Sequence, residues 1–209
     1  MVDTQYILQY INTVDGRRKI MMKKLILTDV DGVLLNWEDA FHSWMESKGF
    51  KRNAIASYDM HVVYNKEKAH IKALIREFNE SAWICCLEPF RDAVDGVKTL
   101  AGKGYRFGAI TSLSNDQYAA KLREDNLENV FGDVFDFVIC IDTGADKDNE
   151  LLPFKDSGLF WIEDKPENAK LGADLGLKSL LVRHPHNANF TYDGVKMVDN
   201  WAQIVNTIS

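Results

Sequence analysis

The sequence predicts an α/β fold: a Rossmann-like doubly wound parallel sheet with a small inserted helical cap. Three observations predict it. Short apolar runs alternate with amphipathic stretches of helical period, and that alternation implies a mostly parallel sheet with helices on both faces. One interval of over 70 residues, between Gly32 and Arg106, is far longer than a single crossover needs. The 209 residues, 46% of them apolar and 27% charged, suffice for one domain with a modest insertion and a core that needs no disulfide staples.

The elements follow in order. Residues 1–20 read as a peripheral extension, because Met21-Met22-Lys23-Lys24 sits directly before the first strand; their basic run reads as a solvated flank. Leu25 to Val30 reads as a buried strand. Within 36–88, Trp37, Ala40, Phe41, Trp44 and Met45 share one helical face over 37–49. Ile71, Leu74, Ile75 and Phe78 share another over 66–79. That span is the expected cap, and residues 21–35 and 89–209 are the core domain. A helix over 91–103 ends at the Gly102 and Gly104 pair. The strand Arg106 to Thr111 follows, then a helix over 115–126 and the strand Phe135 to Asp142. Leu159 to Glu163, a helix over 166–175 and Ser179 to Arg183 complete the pattern.

Composition excludes several classes. No apolar run approaches the roughly 18–20 residues that span a bilayer, and the first residues lack the basic-then-apolar order of a secretory signal. Three cysteines make a sparse, odd count that suits a reducing cytoplasm. A formal charge of -6 gives no reason to expect a nucleic-acid polymer as partner.

Leu25-Ile26-Leu27-Thr28-Asp29-Val30-Asp31-Gly32-Val33-Leu34 carries the strongest chemical signal. An apolar strand ends in two aspartates at i and i+2, which point the same way on a continuing strand. Ligand sites in open α/β sheets lie at the carboxyl ends of strands. Two adjacent carboxylates repel unless a cation or a division of labour holds them. Gly32 lets the backbone turn sharply.

These residues resemble the first motif of the haloacid dehalogenase-like (HAD) superfamily, an apolar strand followed by D-x-D-G-[TV]. Phe107-Gly108-Ala109-Ile110-Thr111-Ser112 is similar to its second motif, and Leu159-Phe160-Trp161-Ile162-Glu163-Asp164 to its fourth; a lysine between them forms the third. The resemblance spans nearly all of residues 22–209. It implies a phosphatase in which Asp29 is the nucleophile that becomes an aspartyl phosphate, and Asp31 the general acid/base. Thr111, with Ser112, would hold a phosphoryl oxygen. Mg²⁺ would be held by Asp29, Asp164 and the Asp31 backbone carbonyl, with Glu163 direct or through water, and would relieve the repulsion between a phosphate dianion and a carboxylate. For the lysine, Lys147 at a helix start is favoured over Lys155. The acid at Asp31 implies a phosphatase or phosphomutase, since dehalogenating members lack it and ion-pumping members carry Thr.

The expected substrate is a small phosphorylated molecule. A nucleoside monophosphate is favoured, because the run from Asp29 to Trp37, Leu87-Glu88-Pro89 and Thr111-Ser112 are similar to 5'(3')-deoxyribonucleotidases of the superfamily and the cap is rich in aromatics (Trp37, Phe41, Trp44, Tyr58, Tyr64, Phe78, Trp83). Most of these aromatics are expected to pack a small core; Trp37, nearest the catalytic loop, is the one expected at the substrate. A sugar phosphate, phosphoglycolate or a phosphomutase reaction are the alternatives. The rival of another class is a non-catalytic receiver-like phosphoacceptor, which lacks both the cap and an acidic pair after the lysine. The chain is expected as a monomer or homodimer. His184 and His186, flanking Pro185, read as a satisfied loop pair with no third ligand to make a metal site.

Overall fold

The computed structural model describes residues 24–53, 57 and 59–209. The expected extension 1–20, the methionines that follow it and Tyr58 lie outside the described residues. Among the described residues, six strands form one all-parallel sheet: β1 (Leu25–Thr28), β2 (Arg106–Ser112), β3 (Phe135–Ile141), β4 (Phe160–Glu163), β5 (Lys178–Val182) and β6 (Val195–Val198). Their spatial order is β3-β2-β1-β4-β5-β6. The chain builds outward from β1 to β3, then crosses back to place β4 on the other side of β1. The sheet therefore reverses its winding between β1 and β4, the place where open α/β sheets leave a crevice at their carboxyl edge.

Each strand in the middle of the sheet is a continuous apolar run because both its faces are covered. All four residues of β1 are buried, and Phe107 to Ile110 of β2 likewise. The crossover helices are α4 (Ala93–Gly102), α5 (Gln117–Phe131), the single turn α6 (Asp148–Leu151) and α7 (Pro166–Asp174). α4 and α7 lie close to the spans the periodicity predicts, α5 runs on to Phe131 past the expected end at 126, and α6 begins directly after Lys147, the expected helix start. β6 and the closing helix α8 (Trp201–Ile208) are additions the sequence reading did not contain. β6 is a four-residue edge strand with one buried residue, Val198, so its apolar alternation is weak. α8 is anchored by Trp201, whose indole N–H donates to the Val33 carbonyl at 2.8 Å.

The inserted residues form α1 (Trp37–Ser47), α2 (Met60–Val63), α3 (Lys68–Asn79) and a 3-10 turn at Ala82–Cys86. They leave and rejoin the core through two neighbouring segments. Leu35 bridges Pro89, the Asn36 N–H donates to Glu88 O at 2.9 Å, and the Phe90 N–H to Leu34 O at 2.8 Å. On α5, Asn126 both accepts from the Leu87 N–H (3.2 Å) and donates to the Leu87 carbonyl (3.1 Å). Three further contacts close the insertion onto the sheet's edge: Asn79 Nδ2 to Leu113 O (2.8 Å), Arg76 to Asp142 (2.7 Å) and the Ser114 hydroxyl to Glu80 (2.7 Å). Among the described residues no helix is long and apolar enough to cross a membrane.

Candidate active site

A cavity of about 550 Å³ opens between the inserted helices and the carboxyl ends of β1, β2 and β4. Its floor brings together residues far apart in sequence: Asp29 and Asp31 after β1, Thr111 and Ser112 at the end of β2, Lys147 before α6, and Asp164 after β4. Asp29 extends β1 by one residue, its N–H donating to Ile162 O of β4 at 2.8 Å. The two strands thereby hold Asp29 beside the Glu163-Asp164 pair. Oxygens of Asp29, Glu163 and Asp164 all lie within 4.8 Å of one another.

Lys147 sits among these acids with only 1% of its side chain exposed. Its Nζ lies 2.8 Å from Asp29 Oδ1 and 2.9 Å from Glu163 Oε1. Lys155, the alternative lysine, stands exposed after a 3-10 turn at Leu152–Phe154 and does not line the cavity. Asp29 Oδ1 also accepts the Val30 N–H at 2.7 Å, so both contacts fall on one oxygen and leave Oδ2 without a hydrogen bond among the described residues.

Glu163 differs from its neighbours. It is fully buried, and its carboxylate accepts from Lys147, Asn168 Nδ2 (2.6 Å) and the N–H groups of Asp164 (2.6 Å) and Lys165 (2.8 Å). Burial would raise its pKa, but the Lys147 charge and these hydrogen bonds together hold it below the usual value. It is therefore a fixed anion that orients Lys147. Asp29 goes the other way: burial first, then the Glu163 charge, push it up to about 7. Asp164 is raised well above its ordinary value for the same two reasons. Lys147 is raised because its two carboxylate partners outweigh burial. Two clustered carboxylates that resist ionisation together are a donor set that a hard divalent cation would relieve. The residues thus fit Mg²⁺, with Asp29 and Asp164 as the side chains whose oxygens remain to bind it.

Gly32 makes the close approach possible. Its φ is +77°, and a Cβ built there would stand 2.5 Å from Asp164 Oδ2. The Gly32 carbonyl faces His184 Nε2 at 2.9 Å. Thr111 is fully buried and lines the cavity, yet its hydroxyl has no hydrogen-bond partner among the described residues. An orphaned buried hydroxyl is costly, and a ligand oxygen would satisfy it. The Ser112 hydroxyl already donates to Ala145 O at 2.9 Å, which ties the loop after β3 to the floor.

The aromatic residues of the insertion divide. Phe41, Trp44, Tyr64 and Phe78 are buried against one another. Trp37 stacks on Phe41 at 4.8 Å and spends its indole N–H on Asn79, but still lines the cavity. Two groups escaped the sequence reading. His184 and His186, set aside as a loop pair, line the cavity in a stack with Phe90. Arg123, on α5, is fully buried and bonds both oxygens of Asp31, Nη1 to Oδ1 at 2.5 Å and Nη2 to Oδ2 at 3.3 Å. Its signal was present: Arg123 falls on the buried stripe Ala119, Asn126, Leu127 and Phe131, where a charge is out of place.

No protein-family model matches the chain. A protein of Enterobacteria phage T4, described as an uncharacterized 32.4 kDa protein in the Gp30-rIII intergenic region, is 27% identical over 139 residues, 61% of this chain and 48% of its own length. The chain thus spans about half the length of that curated relative. Solved structures match over most of their length. CbbY from Rhodobacter sphaeroides, determined with phosphate, aligns with TM-score 0.57 at 15% identity, covering 87% of this chain and 96% of its own. L-2-haloacid dehalogenase from Xanthobacter autotrophicus aligns with TM-score 0.60 at 10% identity, covering 88% and 98%. With the six parallel strands, the reversal beside β1 and the acids at that edge, the chain has the fold of the HAD-superfamily hydrolases.

Proposed function

We propose that the chain is a Mg²⁺-dependent phosphatase acting on a small phosphate monoester through an aspartyl phosphate on Asp29. One observation carries this reading: the nucleophile candidate Asp29, its lysine, Asp31, Asp164 and a buried threonine hydroxyl left unsatisfied by the described residues face one cavity. One Asp29 carboxylate oxygen attacks phosphorus and the bond to the leaving oxygen breaks. Asp31 gives that oxygen a proton and afterwards takes one from the water that cleaves the acyl phosphate. Lys147 keeps Asp29 in place and offsets charge beside it, while Glu163 orients Lys147. Thr111 donates to a phosphoryl oxygen. Asp29, Asp164 and the Asp31 carbonyl would hold Mg²⁺, which would supply positive charge against the repulsion between phosphate and carboxylate. The inserted helices exclude water from the floor.

A sugar phosphate is the leading substrate class. The support is the likeness in fold to CbbY, which has also been determined with xylulose-(1,5)bisphosphate. A nucleoside monophosphate is the second reading. It is favoured by the aromatic lining that Trp37, Phe90 and the two histidines provide. A phosphate-release screen of the purified chain with Mg²⁺ over sugar phosphates, phosphoglycolate and nucleotides separates these. Turnover that disappears in Asp29→Asn is expected. Turnover retained in that variant refutes the mechanism, and a stable phosphorylated chain without turnover favours the receiver-like alternative.

A further inference from the structure

We infer that Arg123 is a positioning residue for Asp31, giving the second aspartate of the pair a cation of its own. This rests on the phosphatase reading above. Asp29 and Asp31 stand two residues apart, but their partners come from different directions. Lys147 reaches Asp29 from the loop before α6, and Arg123 reaches Asp31 from α5. The guanidinium grips both carboxylate oxygens, a two-point contact that fixes the direction of the side chain as well as its place.

Burial shows what Arg123 is for. It is 0% exposed, and its Nε has no hydrogen-bond partner among the described residues. Asp31 is its one ion-pair partner among the described residues. A buried arginine with an unsatisfied nitrogen is an expensive way to fill space on a helix whose neighbouring positions are Ala119 and Leu127. The contact with Asp31 is what it returns. Asn126, less than one turn on, bonds the N–H and carbonyl of Leu87 in the segment that leads back from the inserted helices. That segment pairs, through Pro89 and Leu35, with the turn that carries Asp31. Arg123 is thus mounted on a helix pinned to the same structure as the side chain it holds, so the distance between them is set by the fold and not by a mobile loop.

Asp31 in its protonated form, its side chain held in one direction, can pass its proton to a leaving oxygen at one place and become the carboxylate that later takes a proton from water. Phosphate esters that need that proton should depend on Arg123 more than those that do not. The test compares p-nitrophenyl phosphate, whose phenolate leaves readily, with phenyl phosphate, whose phenolate leaves poorly unprotonated. In Arg123→Met, kcat/KM on phenyl phosphate is expected to fall about 100-fold, and on p-nitrophenyl phosphate less than about 10-fold, the scale of a general acid's contribution. Asp31→Asn is expected to widen the ratio similarly, and Arg123→Met added to it to widen the ratio no further. Arg123→Lys, which keeps the charge but loses the fork, is expected to fall between; it carries the test if Arg123→Met does not fold. An equal loss on both esters in Arg123→Met or Arg123→Lys, with Asp31→Asn still changing the ratio, would reduce Arg123 to a structural role and overturn the inference. An unchanged ratio in Asp31→Asn, or wild-type protein inert toward both esters, would instead overturn the acid role of Asp31 or the phosphatase reading, and the inference with it.

Discussion

Lys147→Met tests the electrostatics of the site most directly. The lysine is buried and bridges Asp29 and Glu163 at 2.8 and 2.9 Å. Methionine fills similar volume but leaves the Asp29, Glu163 and Asp164 carboxylates clustered without a cation. Removing one partner of a buried pair costs about 3–5 kcal/mol. In a domain of this size each kcal/mol moves Tm by roughly 2–4 °C, so the metal-free variant should melt about 6–20 °C below wild type at pH 8. The deficit should shrink at pH 5, because protonation can relieve carboxylates that no lysine balances. It should also shrink in excess Mg²⁺, which replaces the missing charge. Thermal unfolding by circular dichroism, at both pH values and with EDTA or Mg²⁺, measures all three. A deficit under about 2 °C at pH 8, or one indifferent to both pH and Mg²⁺, would refute the reasoning that Lys147 balances these acids.

Three other outcomes follow from the same geometry. Asp29 holds its proton up to about 7 in the fold, against 3.8 in its ordinary state, and Asp164 is shifted the same way. The metal-free protein should therefore lose stability as pH rises through that window, since the unfolded chain releases these protons first; Mg²⁺ affinity should grow over the same range and binding should release protons, which calorimetry in buffers of different ionisation enthalpy would detect. Gly32→Ala places a Cβ 2.5 Å from Asp164 Oδ2 at a φ of +77°; about 1–2 kcal/mol of backbone strain is expected, with weaker Mg²⁺ binding by calorimetry because Asp164 must move. Thr111→Val removes a hydroxyl that bonds nothing among the described residues, so denaturant unfolding should change by less than about 1 kcal/mol while kcat/KM falls about 10-fold; a large stability loss would show that the hydroxyl serves the fold.

Much of this was legible along the chain because its physical causes are local. A strand buried on both faces must be a continuous apolar run, so Leu25 to Thr28 and Phe107 to Ile110 announce themselves. Helices with one apolar stripe do the same over 37–49 and 66–79. The two aspartates after β1 and the acids after β4 stand at strand ends, where a parallel sheet gathers its chemistry. Other features were not legible because their causes are not local. β6 carries too short an alternation to be told from a loop, and it exists because β5 offers it an edge. Trp37 could be placed near the turn after β1, and its stacking on Phe41, four residues on in α1, is local, but its bond to Asn79 arises only when α1 meets α3. His184 reaches Gly32, and Arg123 reaches Asp31 across 92 positions; no spacing encodes such encounters. Sequence alone determined which residue types would stand at the carboxyl edge, since apolar runs and their polar ends are written in order. Tertiary structure decided which cation serves which acid, because burial and distance, which set the strength of every charge interaction, exist only once the strands and helices have packed.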